Sequence, residues 1–188
     1  MIIKKEDADS IDRVSRCLKK NALVVLPTDT IYGFSAIAPQ GASKILHVKG
    51  RDEGKSFIQL LAQPEDLYTY LVGKFNPALL SLWPGAVTYI VKTKHNTTTA
   101  FRCPGDSWLR SVIEKTGSPL YSTSVNRTGE HPFNNIEKII REFGTIAECI
   151  VDAGTLPFSS ASTIVDTIKG SVIRQGGVVV PEEYFKIL

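Results

Sequence analysis

The chain has 188 residues, 43% of them hydrophobic, and 22 Lys and Arg against 19 Asp and Glu give it a formal charge of +3. That length and apolar content suit one domain with a real core, and mild basicity permits contact with phosphates or nucleic acid without demanding it. Scattered cysteines (Cys17, Cys103, Cys149) and histidines (His47, His95, His131) exclude a zinc knuckle and a disulfide framework, while an immediately charged N-terminus and the lack of an apolar run near about 18 residues exclude a signal peptide and a membrane span, so a soluble, cytoplasmic protein is expected.

The pattern predicts a helix over 7–21, with Ile11, Val14 and Leu18 on one face, Asp7 or Asp9 as cap and Lys19 and Lys20 at its C-terminal end. The apolar run 22–27, closed by proline, reads as a buried strand. Helical spacing returns over 41–50 and ends at Gly50. Residues 56–62 read as a strand, and 64–72, opening on proline and acids, as a helix. A short helix over 76–85, stopped by Pro84, precedes a β-rich segment at 86–92. The segment 105–117 is an amphipathic helix with Trp108, Leu109, Val112 and Ile113 as its apolar face. Then come a strand running into a polar turn (118–125), a helix (134–144), a strand (149–154), two strands joined by a turn at "IKG" (162–167 and 171–180), and a short tail element, "PEEYFKIL". Strands and helices mix without strict alternation and without repeats, which predicts a single α/β domain, residues 1–188, with a twisted mixed sheet.

Small polar residues gather at strand ends. "PTDTIYG" (27–33), "YSTSVNRTG" (121–129) and "SSASTIVD" (159–166) each adjoin a predicted strand. One such cluster is ordinary turn chemistry. Three, with a group of cations, point to a shared polar cleft. The cations lie in "HVKGRDEGKSF" (47–57), whose Gly50, Gly54, Lys55 and Ser56 spell a Walker A loop one residue short. A P-loop joins a strand to a following helix, so that backbone N–H groups meet the phosphate. Here a predicted helix precedes the loop and a strand follows it. If phosphates bind this segment, side-chain charge holds them.

Taken in order, "LPTDTIYGFSA", "VKGRDEGKSF", "WPGAVTYIV", "FRCP", "STSVNRTG", "SSASTIVD" and "VIRQGG" resemble the YrdC/Sua5 family of threonylcarbamoyl-AMP synthases, over about residues 20–177. The resemblance implies a twisted, mostly parallel sheet flanked by helices around a positively charged concave cleft. It implies a nucleotidyltransferase that condenses L-threonine, bicarbonate and ATP, with Mg²⁺, to threonylcarbamoyl-AMP and pyrophosphate. A separate transferase complex would then pass the threonylcarbamoyl group to adenosine 37 of tRNA. On the family's K-x-R-P-x-x-K-P pattern, Lys49, Arg51 and Lys55 match the cations around the ATP phosphates, with Lys49 and Arg51 as the catalytic pair. Thr28, Arg102, Ser122 and Ser162 match threonine-binding positions, Arg102 pairing with the carboxylate. Ser124, Asn126 and Arg174 match the nucleotide side. No protein metal ligand is implied.

The chain departs from the pattern at Asp52 and Ser56, which replace prolines, at Val125, which replaces alanine, and at Thr128, which replaces serine. Asp52 puts a negative charge among the cations; it pairs with Arg51 or Lys55, or takes part in holding Mg²⁺. Ending soon after "QGG", the chain resembles the short, single-domain type. Two alternatives stand beside this reading: a tRNA- or double-stranded-RNA-binding protein on the same fold, and a carbamoyl-adenylate enzyme like the related domain of hydrogenase maturation proteins. The amino-acid-type positions Thr28, Arg102 and Ser162 weigh against the first. The second sits in much longer chains with zinc fingers.

Overall fold

The computed structural model describes residues 1–50, 57–157 and 159–185. The apolar runs become ten strands of one sheet: β1 (Ile2–Lys4), β2 (Val24–Leu26), β3 (Gly33–Ile37), β4 (Ile58–Leu60), β5 (Val87–Lys92), β6 (Thr98–Arg102), β7 (Leu120–Ser124), β8 (Cys149–Asp152), β9 (Thr163–Asp166) and β10 (Ser171–Arg174). Their spatial order is β1-β8-β2-β3-β7-β4-β6-β5-β9-β10. The amphipathic segments become α1 (Ser10–Lys19), α2 (Ala42–Lys49), α3 (Ser107–Thr116) and α4 (Ile136–Phe143).

The sheet is mixed, as the pattern predicts, but it is not mostly parallel. Four pairings are parallel and five are antiparallel. The connections from β2 to β3 and from β5 to β6 are too short for a crossover, and short links permit only antiparallel neighbours. Strands β1, β3 and β6 escape the sequence reading: β1 is three residues beside charge, β3 (GFSAI) starts at the last residue of the polar "PTDTIYG" cluster, and "TTAFR" has no apolar run.

The segments at 64–72 and 76–85 form 3₁₀ turns, Pro64–Thr69 and Pro77–Leu82, rather than α-helices. Their buried or half-buried side chains fall three apart (Leu67 and Tyr70, Leu79 and Leu82), which a three-residue turn stacks on one side. Asp9 occupies the N-cap of α1, but its carboxylate makes no cap bond and faces Arg13. Asp106 and Asn135 do cap α3 and α4, accepting from the amides of Leu109 (3.0 Å) and Lys138 (2.9 Å). Gly50 ends α2 in the left-handed region, as predicted.

Strand alternation divides the core. On one face, Val24, Leu26, Leu60 and Leu120 pack under α1 and α3 through Val14, Leu18, Leu109 and Val112. On the other, Val25, Phe34 and Ile150 meet α2 and α4 through Ile45, Ile139 and Phe143. A third cluster joins Tyr89, Phe101 and Val165 to Leu67, Leu79 and Trp83, and is closed by Val180 and Phe185 of the tail. Each such Leu, Ile or Phe contributes about 1.5–3 kcal/mol when fully buried. Among the described residues no helix is long and apolar enough to cross a membrane.

The β10 exit returns over the start of β9. A Cβ on Gly176 would collide with the Ala161 carbonyl oxygen and stand 2.5 Å from the Thr163 amide, so this approach needs glycine. Gly176→Ala should therefore lower stability by about 1–3 kcal/mol, the usual cost of overpacking. In thermal unfolding the midpoint should fall by roughly 2–10 °C. An unchanged midpoint would show that the loop yields freely.

Candidate functional site

Above the helix-free part of the sheet's first face lies a cleft of about 340 Å³. Thr28, Arg102, Ser122, Ser124, Ser162 and Arg174 line it together, though they come from five separate stretches of chain. Among its described lining residues the only charged ones are the two arginines.

Thr28 follows β2 and shapes its own loop. Its hydroxyl donates to the Ile31 carbonyl (2.7 Å) and accepts from the amides of Thr30 (3.1 Å) and Ile31 (3.2 Å). It also lies 2.9 Å from the Thr30 hydroxyl. The same loop carries Asp29 and Tyr32, which the sequence reading passed over although they stand within the "PTDTIYG" cluster. The Tyr32 hydroxyl donates to the Gly154 carbonyl (2.8 Å) and accepts from the Ala153 amide (3.0 Å), tying the loop to the end of β8. Burial raises the pKa of that phenol.

Arg102 ends β6 and is 5% exposed. Its Nε donates to the Gly85 carbonyl (2.9 Å), Nη1 to the Thr30 hydroxyl (3.1 Å) and Nη2 to Asp29 Oδ1 (2.6 Å). The second Asp29 oxygen accepts from the Gly105 amide at 3.0 Å. Burial lowers the pKa of the guanidinium and the Asp29 carboxylate opposes that shift. A guanidinium has five N–H donors. Three are used among the described residues, which leaves there one N–H on each terminal nitrogen.

Across the cleft, Arg174 at the end of β10 donates to the Ser162 carbonyl from Nε (3.0 Å) and Nη2 (2.8 Å). The Ser162 hydroxyl is 2% exposed, lies 2.8 Å from the Thr88 hydroxyl and accepts from Arg174 at 3.2 Å. The pKa of Arg174 is lowered, first by burial and then by the positive charge of Arg102. Two cations that raise each other's energy across a cleft favour an anion between them.

On the floor, the Ser122 hydroxyl and the fully buried Ser35 hydroxyl of the neighbouring strand make no hydrogen bond among the described residues. Gly33 leaves room for Ser122, because a Cβ there would come within 2.7 Å of its Oγ. Ser124 donates to Asn126 Oδ1 at 2.5 Å. Lys49 and Asn126 do not line the described cleft but stand behind Ser124. The Lys49 ammonium, 3% exposed, donates to the Ser124 carbonyl (2.9 Å) and to Asn126 Oδ1 (2.7 Å). The Asn126 amide donates to the carbonyls of Arg127 (2.9 Å) and Glu130 (2.6 Å), so one buried lysine organises the whole turn after β7. Arg51 and Lys55, with Asp52 and Ser56, lie outside the described residues. Phe57, directly after them, lines the cleft. Among the described residues no three His, Cys, Asp or Glu side chains cluster as metal ligands.

A protein named threonylcarbamoyl-AMP synthase from Photobacterium profundum is 25% identical over 184 residues, covering 89% of this chain and 100% of that protein. A structure of a P. abyssi Sua5 variant superposes with a TM-score of 0.85 at 25% identity, covering 100% of this chain and 63% of the other. P. abyssi Sua5 complexed with L-threonine superposes with a TM-score of 0.85 at 22% identity, covering 95% of this chain and 57% of that one. This chain thus spans about three fifths of the length of those Sua5 proteins and the full length of the Photobacterium relative. A family model denoted Sua5, YciO and YrdC, with the description telomere recombination, matches residues 16–176, and the chain belongs to this family.

Proposed function

We propose that this protein is an L-threonylcarbamoyladenylate synthase, a nucleotidyltransferase that joins L-threonine, bicarbonate and ATP and releases pyrophosphate. The observation that carries the reading is the buried Arg102, held by Asp29 with N–H donors to spare at the edge of a hydroxyl-lined cleft that Arg174 faces from the other side. A fixed guanidinium fork suits the threonine carboxylate. The Ser122 hydroxyl, unpartnered among the described residues, surrounds the rest of the amino acid together with Ser162 and the Thr28 loop. An RNA backbone would need no buried carboxylate site of this kind, which favours the synthase over RNA binding alone.

The neutral amine of threonine attacks carbon dioxide formed from bicarbonate, giving N-carboxythreonine. Its new carboxylate attacks the ATP α-phosphorus, the bond to the β-phosphate oxygen breaks, and pyrophosphate leaves. The carbamate intermediate is short-lived in water, so the protein's main contribution is proximity. Arg174 and Ser124 hold the nucleotide side, and Asn126 fixes Ser124 from behind. Lys49, Arg51 and Lys55 supply positive charge where charge develops on the phosphates. Mg²⁺ enters with ATP as part of the substrate. The 188 residues act as one domain, in the cytoplasm, and a transferase complex passes the product's threonylcarbamoyl group to tRNA.

Pyrophosphate release should require L-threonine and fall sharply in CO₂-depleted buffer. Valine should support it up to roughly 10⁴-fold less well, because a site built to bond a hydroxyl rejects analogues lacking one. Equal rates with valine, or without bicarbonate, would sink the assignment.

Arg102→Ala should weaken threonine binding by about 2–5 kcal/mol, the scale for truncating one partner of a buried charge pair. ATP binding should change little. Asp29→Asn should act in the same direction, since Arg102 loses its ionic partner. Calorimetry in which ATP rather than threonine binding collapses would move Arg102 to the nucleotide.

The loop "GRDEGKSF" is tested by a pair of variants. Ser56→Ala should stay within a few-fold of the parent, whereas Arg51→Ala should lose about 2–4 kcal/mol of transition-state stabilisation. The reverse pattern would mean a P-loop.

A further inference from the structure

The second face of the sheet carries a recess that the synthase reading does not use. The register runs one row of side chains along that face, Ala36, Tyr121, Gln59, Phe101, Tyr89 and Val165. Helices α2 and α4 cover one end of the row and the 3₁₀ turns cover the other. Between them no helix covers Tyr121 and Gln59, and a recess of about 460 Å³ lies there, flanked by the buried Phe101 under the Tyr70 ring. That falls within the range of roughly 300–1,000 Å³ typical of small-molecule sites.

Its walls are flat; Ser118 and Thr93 in its lining are hydrogen-bonded, but other polar groups there find no partner among the described residues. The Tyr70 ring stacks on Phe101 at 5.1 Å and 28°. Tyr121 lines the opposite part, with Pro39 and Pro119 at the ends. Gln59 rises from the floor and Lys94 stands exposed at the rim. Among the described residues the Gln59 amide, the Tyr70 and Tyr121 hydroxyls and the Lys94 ammonium make no hydrogen bond or ion pair.

The geometry points to a second ligand site here, behind the sheet, for a purine nucleoside monophosphate. The base lies against Tyr70 and Tyr121, because aromatic rings stack on bases. Its donor and acceptor edge meets the Gln59 amide, which carries both kinds of group. The phosphate meets Lys94; a single rim cation matches one phosphate group rather than a triphosphate. Occupancy behind the sheet would reach the front. The Tyr121 ring packs edge-on to Phe57 at 5.5 Å, and Phe57 lines the front cleft.

Calorimetric titration of the full chain with AMP tests this, and the readout does not depend on synthase activity. Two sites are expected. Arg174→Ala should weaken only the front one. Gln59→Leu and Lys94→Ala should each weaken only the rear one, by about tenfold, with unfolding midpoints close to the parent's. In the Arg174→Ala background the side-chain amide NMR signal of Gln59 should shift on adding AMP and stay put on adding ribose 5-phosphate. The site is refuted by AMP binding that ignores both Gln59→Leu and Lys94→Ala, by a Gln59 amide that does not move, or by ribose 5-phosphate acting as well as AMP. A failed synthase reading would appear in the pyrophosphate assay and would remove the front AMP site alone, leaving the rear site and its response to Gln59→Leu and Lys94→Ala.

Discussion

The cleft depends on keeping one buried positive charge in place. Arg102 is almost fully removed from water, a position that a cation tolerates only with partners in good geometry. Those partners are Asp29 and Thr30 on the loop between β2 and β3, and Gly85 on the turn before β5. A single guanidinium therefore ties two distant pieces of chain to the end of β6. Asp29 extends the clamp to the Gly105 amide, at the start of the segment that leads into α3. The shape of the cleft and the local fold rest on the same contacts.

Strand alternation builds a two-sided sheet from this frame. In β3, Phe34 and Ala36 enter the core under α2 and α4, whereas Ser35 faces the front. In β7, Ser122 and Ser124 face the cleft while Tyr121 points to the rear recess. β4 repeats this with Ile58 and Leu60 in front and Gln59 behind. Hydroxyls replace apolar side chains where no helix covers the front, and this substitution turns a sheet face into a binding surface.

The segment after α2 sits in a different frame from a P-loop. The loop leaves the C-terminus of α2, at the left-handed Gly50, and leads into β4. A helix C-terminus carries partial negative charge and repels phosphate, the opposite of the N-terminus a P-loop offers. Under the proposed function the attraction would come from cationic side chains, and the sequence is dense in Lys and Arg there. Lys49 has a structural role that no motif reveals, since its buried ammonium holds Ser124 and Asn126 in their turn.

The sequence by itself determined the helices α1 to α4, most of the strands and the positions of the polar clusters, because period, caps and turn residues act over a few neighbours. It also carried the ordered motifs that match the family. It did not contain β1, β3 and β6, whose strand character comes from pairing with distant partners, nor the balance of parallel and antiparallel neighbours, nor the 3₁₀ form of the two proline-led turns. Tertiary structure alone brought Thr28, Arg102, Ser122, Ser162 and Arg174 to one cleft and set Lys49 behind it. It paired Asp29 with Arg102 across 73 positions of chain, and left a recess bare on the other face. Local propensity is read within a turn or two of backbone, whereas these arrangements arise when strands far apart in sequence fix their register.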